Sequence, residues 1–229
     1  MALSSDTIAR TALKVLDDVG LDGLTMRLLA KELGVQAPTL YWHVKNKQEL
    51  LDAMADLMSA EAAEGLEAPS RDTSWQEWTA DLVRRMRRTM LRHRDGARVS
   101  AGAYSRSTAV PRTIELTLRT LSDGGFSVAE AARAFPVLLH YVVGFTIEEQ
   151  ARTGLAYDGE SPYSAGLAVD PAKYPLTASV RDELYAVDSE ANFEYGLRII
   201  LTGMSVEVLE PSRGTGSVSP PAAAAGRGS

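Results

Sequence analysis

Apolar positions recur every three or four residues along most of the chain, a spacing that predicts α-helices. The first such stretch carries Ile8, Ala12, Leu16 and Val19 and ends at Gly20. Later stretches of the same kind predict helices at about 46–63, 74–94, 110–121, 128–152, 177–187 and 192–209. No segment shows the alternation of apolar and polar residues that is typical of a β-strand. The pattern therefore predicts an all-α fold.

Residues 24–47, LTMRLLAKELGVQAPTLYWHVKNK, predict two short helices joined by a tight turn. Thr25 can cap the first helix, Gly34 can end it in a left-handed conformation, and Pro38 suits the first turn of the second. In the second helix Leu40 and Val44 can face the protein. The side chains that then point towards solvent are Thr39, Tyr41, Trp42, His43 and Lys47. Such side chains bind phosphates, and a helix fits the major groove of DNA. The stretch favours a helix-turn-helix at about 25–44; an ordinary helical hairpin with exposed aromatic residues is the alternative.

The loop GLEAPSRDTS at 65–74 separates two groups of helices and predicts a domain boundary. We expect an N-terminal three-helix head with a helix-turn-helix at residues 3–63. A larger C-terminal α-helical bundle is expected at 70–210. So many faces of the helix at 128–152 are apolar that one of them is expected to bury against another subunit, together with the helix at 192–209. Residues 153–176 read as a long loop, and the low-complexity tail at 211–229 is expected to be disordered.

The net charge of −6 argues against a general nucleic-acid coat, and residues 1–50 balance six basic against six acidic side chains. Binding to DNA would therefore depend on local placement of charge. The arginine-rich stretch at 84–94 allows a second nucleic-acid surface, but a solvated helix face balanced by acidic neighbours is favoured. The chain has no cysteine, and no signal peptide or spanning segment is expected. We expect a cytoplasmic protein with no membrane partner.

The run PTLYWHVKNK at 38–47 resembles the recognition helix and following turn of the TetR family, close to the tetracycline repressors. Further runs fall in the same order and at nearly the same spacing: SWQEW at 74–78, HRDGARV at 93–99, GGFS at 124–127 and the segment at 148–150. The resemblance covers about residues 5–210. It implies a homodimeric transcriptional regulator, usually a repressor, that binds an inverted-repeat operator in double-stranded DNA and is released by a small-molecule effector.

For DNA, the resemblance implies that the helix from Pro38 to His43 reads the major groove. The positions it assigns to the DNA site are Thr25, Arg27, Ala37, Pro38, Thr39, Tyr41, Trp42, His43 and Lys47. Arg27 is the best candidate for a guanine, and Tyr41 and Lys47 for phosphates. Packing of Trp42 in the core of the head is an alternative. Ala37 stands where tetracycline repressors carry a base-reading Gln, with Gln36 one place earlier, so we expect an operator different from theirs.

For the effector, the resemblance implies a pocket between the helix at 74–94, the short element near Ser100 and the helix at 128–152. The expected pocket residues are Leu82, Met86, Ser100, Tyr104, Leu138, His140, Tyr141, Phe145 and Glu148. Ser100 replaces the family's His metal ligand, and Leu82 and Met86 replace its polar Asn and aromatic Phe. His140 and Glu148 match the second metal shell and are read as polar pocket groups or a buried pair; His140 as a core histidine is the alternative.

With the first metal ligand gone, we expect a bulky, largely apolar or aromatic effector bound without metal or cofactor. A tetracycline-type ligand is the alternative. An α-helical ligand-binding or enzymatic protein without DNA binding is more remote. Three histidines, no cysteine, no phosphate-binding glycine loop and no close carboxylate pair leave no catalytic constellation, so we expect no enzymatic activity.

Overall fold

A computed structural model describes residues 3–104, 107–152, 168–185 and 188–209 of the chain. The described residues form α-helices and no strand, which confirms the predicted all-α class. The helices are α1 (Ser5–Gly23), α2 (Met26–Glu32), α3 (Ala37–His43), α4 (Lys47–Ala62), α5 (Trp75–Leu91), α6 (Gly96–Ser100), α7 (Ala109–Asp123), α8 (Val128–Arg152), α9 (Pro175–Ser179), α10 (Arg181–Tyr185) and α11 (Ser189–Leu209). The expected tail and most of the expected long loop lie outside the described residues.

Polar caps set the first residues of the long helices. The Asn46 side chain accepts from the backbone N–H of Glu49 at 2.9 Å at the start of α4. Ser74 and Glu77 cap each other reciprocally at the start of α5. Each bond satisfies a backbone N–H that the first helical turn leaves without a partner. The interruption of α1 at Gly20, where φ is 71°, agrees with the predicted end of the first helical stretch.

The single helix predicted at 177–187 is wrong. Two short helices occupy this segment instead, and they are separated at Val180, whose φ of −120° is not helical. Every residue from 168 to 184 is exposed or only half-buried. Since short helices need tertiary packing to persist in water, this segment has little to hold one long helix together.

The N-terminal core is formed by α1, α2, α3 and most of α4. Its centre consists of fully buried side chains from all four helices: Ile8, Leu16, Leu24, Leu29, Leu40, Leu50 and Met54. α4 then continues towards the second group of helices and packs against α5. One helix therefore belongs to the head and also touches the body.

The body is built from α5, α7, α8 and α11 around a second core. Val83, Leu121, Val142, Phe193 and Leu197 are almost fully buried in it. The arginine-rich stretch of α5 is paired with acidic side chains, as in Arg84 with Glu194 and Arg85 with Asp81, both at 2.6 Å. This arrangement favours the charge-balanced helix face over a second nucleic-acid surface.

One face of α8 and one face of α11 remain apolar and exposed. Val137 on α8 is 51% exposed, and Tyr195, Ile199 and Val206 recur along one side of α11 at 58%, 53% and 54%. Among the described helices, α8 is also the one that is long and apolar enough to span a membrane. Only a small part of its apolar segment is buried within this chain. These helices present more apolar surface than a single chain covers.

Candidate nucleic-acid interface and ligand cavity

The turn between α2 and α3 is closed by backbone hydrogen bonds around Gly34. Gly34 has φ of 67°, and its N–H donates to the Lys31 carbonyl at 3.1 Å. The N–H of Val35 donates to the Ala30 carbonyl at 3.0 Å. This pair of bonds is the usual way to end a helix through a left-handed glycine, and it fixes the direction in which α3 leaves α2.

α3 is held on the head by one of its own residues and by its C-terminal cap residue. Leu40 is fully buried and Val44 is 3% exposed, four residues apart on one side. The opposite side is open, with Trp42 88% exposed and Tyr41 47% exposed. The alternative that Trp42 packs in the core of the head is therefore wrong. A short helix with its aromatic residues exposed to solvent resembles a DNA recognition helix more than a helix packed in a protein core.

Seven of the nine expected DNA-contact residues are exposed on α2, on α3 or at the start of α2. They are Thr25, Arg27, Pro38, Thr39, Tyr41, Trp42 and His43. Ala37 is half-buried against the head core. Lys47 is also half-buried, and its Nζ donates to the Leu21 carbonyl at 2.9 Å. Contact of these residues with DNA stays a prediction.

Acidic side chains of the head are held at the joint with the body. Asp17 accepts from the Arg94 backbone N–H at 3.0 Å and lies 3.0 Å from Nδ1 of His93. Asp22 pairs with Arg98 at 3.3 Å, and the hydrogen bond lowers the pKa of Asp22. Since these two carboxylates are engaged by the body, the balanced charge of the head is distributed unevenly.

A cavity of about 370 Å³ lies where α4, α5, α6, α7 and α8 meet. Its walls are apolar side chains, three methionines among them, interrupted by a few hydroxyl groups. The lining residues are Ala55, Met58, Ser59, Ala62, Ala63, Leu82, Met86, Thr89, Met90, Ser100, Ala103, Tyr104, Val110, Thr113, Ile114, Phe135, Leu139 and Val143. This size and composition fit a site for a small organic molecule.

Four of the nine expected pocket residues line this cavity: Leu82, Met86, Ser100 and Tyr104. The other five do not line this cavity in the single chain, and their contact with an effector stays a prediction. His140 and Glu148 are exposed on α8 of the single chain, so within it they form neither a buried pair nor a core histidine. Leu138, Tyr141 and Phe145 pack in the second core, and Tyr141 donates its hydroxyl to the Phe193 carbonyl at 2.7 Å.

The difference between the residues of α8 that were expected at the pocket and those that line the cavity has a simple geometric cause. The cavity side of α8 is formed by Phe135, Leu139 and Val143 at a spacing of four residues. Successive residues of a helix point about 100° apart, so a shift of one or two positions selects a different face. α8 has apolar residues on most of its faces, and the sequence does not distinguish the face that meets a cavity from the face that meets α11.

The contribution of α4 to the cavity was also missed. Ala55 and Met58 line the cavity and are members of the buried core of the head as well. Ser59, Ala62 and Ala63 continue the same wall. The sequence predicts a helix here but gives no sign that one of its faces meets a cavity. A molecule in the cavity would touch the helix that supports the head.

A buried charge cluster lies in the core of the body. Arg87 of α5 is 6% exposed and donates to Glu149 of α8 at 2.7 and 2.8 Å, and it also pairs with Glu190 of α11. Its guanidinium lies 4.6 Å from the centre of the Phe193 ring. Hydrogen bonding to Glu149 raises the pKa of Arg87 against the opposing effect of burial. This cluster ties together the three helices of the body core.

Comparison with known families gives two matches that cover most of the chain. Residues 8–54 match the model described as bacterial regulatory proteins, tetR family. Residues 68–208 match the model described as tetracyclin repressor-like, C-terminal domain. The first match contains α2 and α3, and the second contains all the cavity-lining residues from α5 to α8.

Similar individual proteins are repressors and regulators. The class A tetracycline repressor from transposon 1721 of Escherichia coli is 36% identical over 203 residues, which are 89% of this chain and 91% of that protein. A possible TetR family transcriptional regulator from Streptomyces coelicolor A3(2) has a TM-score of 0.81 and 38% identity, covering 89% of this chain and 99% of its own. ActR from Streptomyces coelicolor, in complex with actinorhodin, has a TM-score of 0.77 and 31% identity over 93% and 100%.

Proposed function

Because the chain belongs to the tetR family of bacterial regulatory proteins, we propose that it represses transcription by binding an inverted-repeat operator as a homodimer and leaves DNA when an effector binds. It is a ligand-responsive transcriptional regulator rather than an enzyme, and its site of action is the cytoplasm, where the DNA lies. The proposal rests on the exposure of α3. This short helix is anchored to the head by the buried Leu40, and it presents Tyr41 and Trp42 to solvent.

The DNA site consists of residues from both helices of the helix-turn-helix, the element at about 25–44. Arg27 is exposed on α2, and a free guanidinium of this kind suits the two acceptors of guanine in the major groove. The hydroxyls of Thr39 and Tyr41 suit phosphates and fix the register of the protein on the duplex. Ala37 has no side-chain group that can hydrogen-bond to a base, so the operator differs from that of proteins with Gln at this position.

The dimer is formed by the exposed apolar faces of α8 and α11. Two copies that pair these faces would build a four-helix interface and cover Val137, Tyr195, Ile199 and Val206. A two-fold axis in this interface relates the two heads, residues 3–63. Heads that enter successive major grooves lie about 34–36 Å apart, which is one turn of DNA, so the operator is an inverted repeat.

The effector occupies the cavity between α4 and α8 and is a bulky, largely apolar or aromatic compound. Of the described residues that line the cavity, none carries a carboxylate or an imidazole, the groups that would help to hold a magnesium ion with a tetracycline. A metal-free aromatic compound fits the methionines and Phe135 better. The similar protein ActR is complexed with actinorhodin, and a retained response to a tetracycline-type ligand is the second candidate.

Release of DNA follows from the double role of α4. Met58 is 3% exposed and touches both the cavity and the head core, so an effector that repacks Met58 changes the support of the head. The protein exists in two states that differ in the positions of the heads. The effector changes the populations of these states only to the extent that it binds one state more tightly than the other. The state that binds the effector better is the one whose heads no longer fit two successive grooves.

The test is fluorescence anisotropy of the purified protein on DNA from upstream of its own gene, over a salt series. We expect tight binding that weakens steeply with salt and is lost in Arg27→Ala and in Tyr41→Ala. Arg119→Ala is the matched control, because Arg119 is exposed on the body and pairs with Glu115. Binding by Arg27→Ala that equals binding by the control would contradict the assignment of the DNA face.

A further inference from the structure

The structure assigns a chemical class to the effector of this cavity: a compound that is electrically neutral where it is enclosed and that carries at least one hydroxyl group. The inference rests on the proposed function, because it concerns the ligand of the same cavity. It goes further, because it excludes charged aromatic compounds and specifies a hydrogen-bond donor on the ligand. Two features of the cavity wall carry it.

The first feature is that every lining residue of the cavity, among those that the structure describes, is uncharged. Charged residues on the same helices are engaged elsewhere. Asp56 of α4 accepts from the Ser107 backbone N–H at 3.1 Å, Arg85 of α5 pairs with Asp81, and Arg112 of α7 donates to the Leu66 carbonyl at 2.6 Å. An ionised ligand enclosed here would find no partner for its charge among the described lining residues, which is strongly unfavourable.

The second feature is the direction of the hydrogen bond made by Thr113. Thr113 lines the cavity, and its hydroxyl donates to the Ala109 carbonyl of its own helix at 2.9 Å. A hydroxyl has one proton and two lone pairs, so this group can only accept from a ligand. A ligand atom that reaches Thr113 must therefore donate, as a phenol or an alcohol does.

Four further residues of the cavity wall carry hydroxyl groups, Ser59, Thr89, Ser100 and Tyr104, and the first two leave the ligand more freedom. Ser59 of α4 and Thr89 of α5 line the cavity and make no side-chain hydrogen bond with any other described residue, so each can donate or accept. Thr89 is 5% exposed, which makes an unmatched polar contact there costly. A ring compound with a hydroxyl towards Thr113 and a carbonyl or second hydroxyl towards Thr89 would satisfy these two threonines.

The test uses three ring compounds that differ in one substituent: 9-phenanthrol, 9-methoxyphenanthrene and phenanthrene-9-carboxylate. Binding to the full-length protein is followed by the fluorescence of each compound. We expect 9-phenanthrol to bind about tenfold more tightly than the methoxy compound, because only the phenol donates to Thr113. The carboxylate is expected to bind at least about a hundredfold more weakly than the phenol, because its charge finds no partner.

Two threonine variants separate the polar contact from a general effect on packing. Thr113→Val should reduce the preference for phenol over methoxy to within about twofold. Thr146→Val is the matched control, because Thr146 is buried on α8, donates to its own helix at the Val142 carbonyl, and does not line the cavity. This control should keep the tenfold preference. An unchanged preference in Thr113→Val would overturn the role of Thr113.

Other outcomes distinguish the inference from the proposed function. Carboxylate binding within tenfold of phenol binding, abolished by the cavity-filling change Leu139→Trp, would overturn the neutral class while leaving the cavity as the effector site. Binding of all three compounds that Leu139→Trp does not affect would contradict the cavity itself. Failure of all three to bind the folded protein would overturn the assigned ligand class.

Discussion

Arg87 and Glu149 form a bidentate ion pair inside the body, with N–O distances of 2.8 and 2.7 Å and side chains 7% and 10% exposed. Glu149→Met removes the bidentate partner and leaves Arg87 with only the more exposed Glu190. We expect this variant to lose about 2–3 kcal/mol of unfolding free energy, since two hydrogen bonds of a buried charged group are lost while one ion pair remains. Urea denaturation at fixed protein concentration measures the loss.

The control for this change is Glu115→Met in the exposed pair with Arg119, whose side chains are 58% and 73% exposed. Exposed ion pairs contribute about 0–1 kcal/mol, so the control should be close to the wild type. Equal losses in the two variants would show that the buried cluster contributes no more than a surface contact.

The pair between Arg84 and Glu194 predicts a dependence of stability on acidity. The hydrogen bond from Arg84 lowers the pKa of Glu194 below its usual value of 4.5. A carboxyl group with a lowered pKa in the folded state stabilises the protein above its unfolded pKa, and the contribution is lost as the pH falls through the folded pKa. Glu194→Gln should therefore have an unfolding free energy that falls less steeply than that of the wild type below about pH 4.5. Parallel curves for the two proteins in that range would contradict the role of this pair.

The cavity wall predicts which side chains of α8 affect the effector. Phe135 lines the cavity, whereas His140 and Glu148 are exposed away from it. With 9-phenanthrol as the probe, Phe135→Ala should weaken binding by about tenfold, because an aromatic contact of roughly 1.5 kcal/mol is lost. His140→Ala and Glu148→Ala should stay within twofold of the wild type. Weakening by either of these two changes that matches Phe135→Ala would restore the pocket originally expected from the resemblance.

The turn of the helix-turn-helix predicts a cost for any side chain at Gly34. Its φ of 67° is disfavoured for other residues, although a Cβ there would meet no atom within 4 Å. Gly34→Ala should lose about 1 kcal/mol through backbone strain alone. Gly196→Ala should lose more, because its Cβ would lie near the Tyr141 hydroxyl. A Gly34→Ala protein as stable as the wild type would argue against the left-handed turn; thermal unfolding measures all three proteins.

The elements that the sequence predicted well depend on local chemistry. Thr25 as a cap, Gly34 at the turn and Pro38 in the first turn of the next helix are signals read within a few residues, and each marks a helix end in the structure. Leu40 and Val44 also identified the buried side of α3, since a helix of seven residues has room for only one such face. These signals were sufficient to predict the helix-turn-helix and its exposed aromatic residues.

The features that the sequence did not give depend on which elements meet in space. Tyr141 packs against Phe193, 52 positions along the chain, and nothing local distinguishes it from Leu139 on the cavity side. The pairing of Arg87 with Glu149 is equally non-local, because α5 carries several arginines of similar appearance. The helix breaks at Val180 because the segment makes few tertiary contacts. The helix propensities of its residues do not reveal how many such contacts it makes.

The most direct test of the central claim is a selection of random double-stranded DNA by the purified wild-type protein, with Arg27→Ala selected in parallel. The account predicts enrichment of an inverted repeat whose half-site centres are one helical turn apart, about 10–10.5 base pairs, or a multiple of it. It also predicts that Arg27→Ala loses the preference for guanine at one position in each half-site. Enrichment of no sequence, or of a single unrepeated motif, would contradict a dimer that reads two successive major grooves.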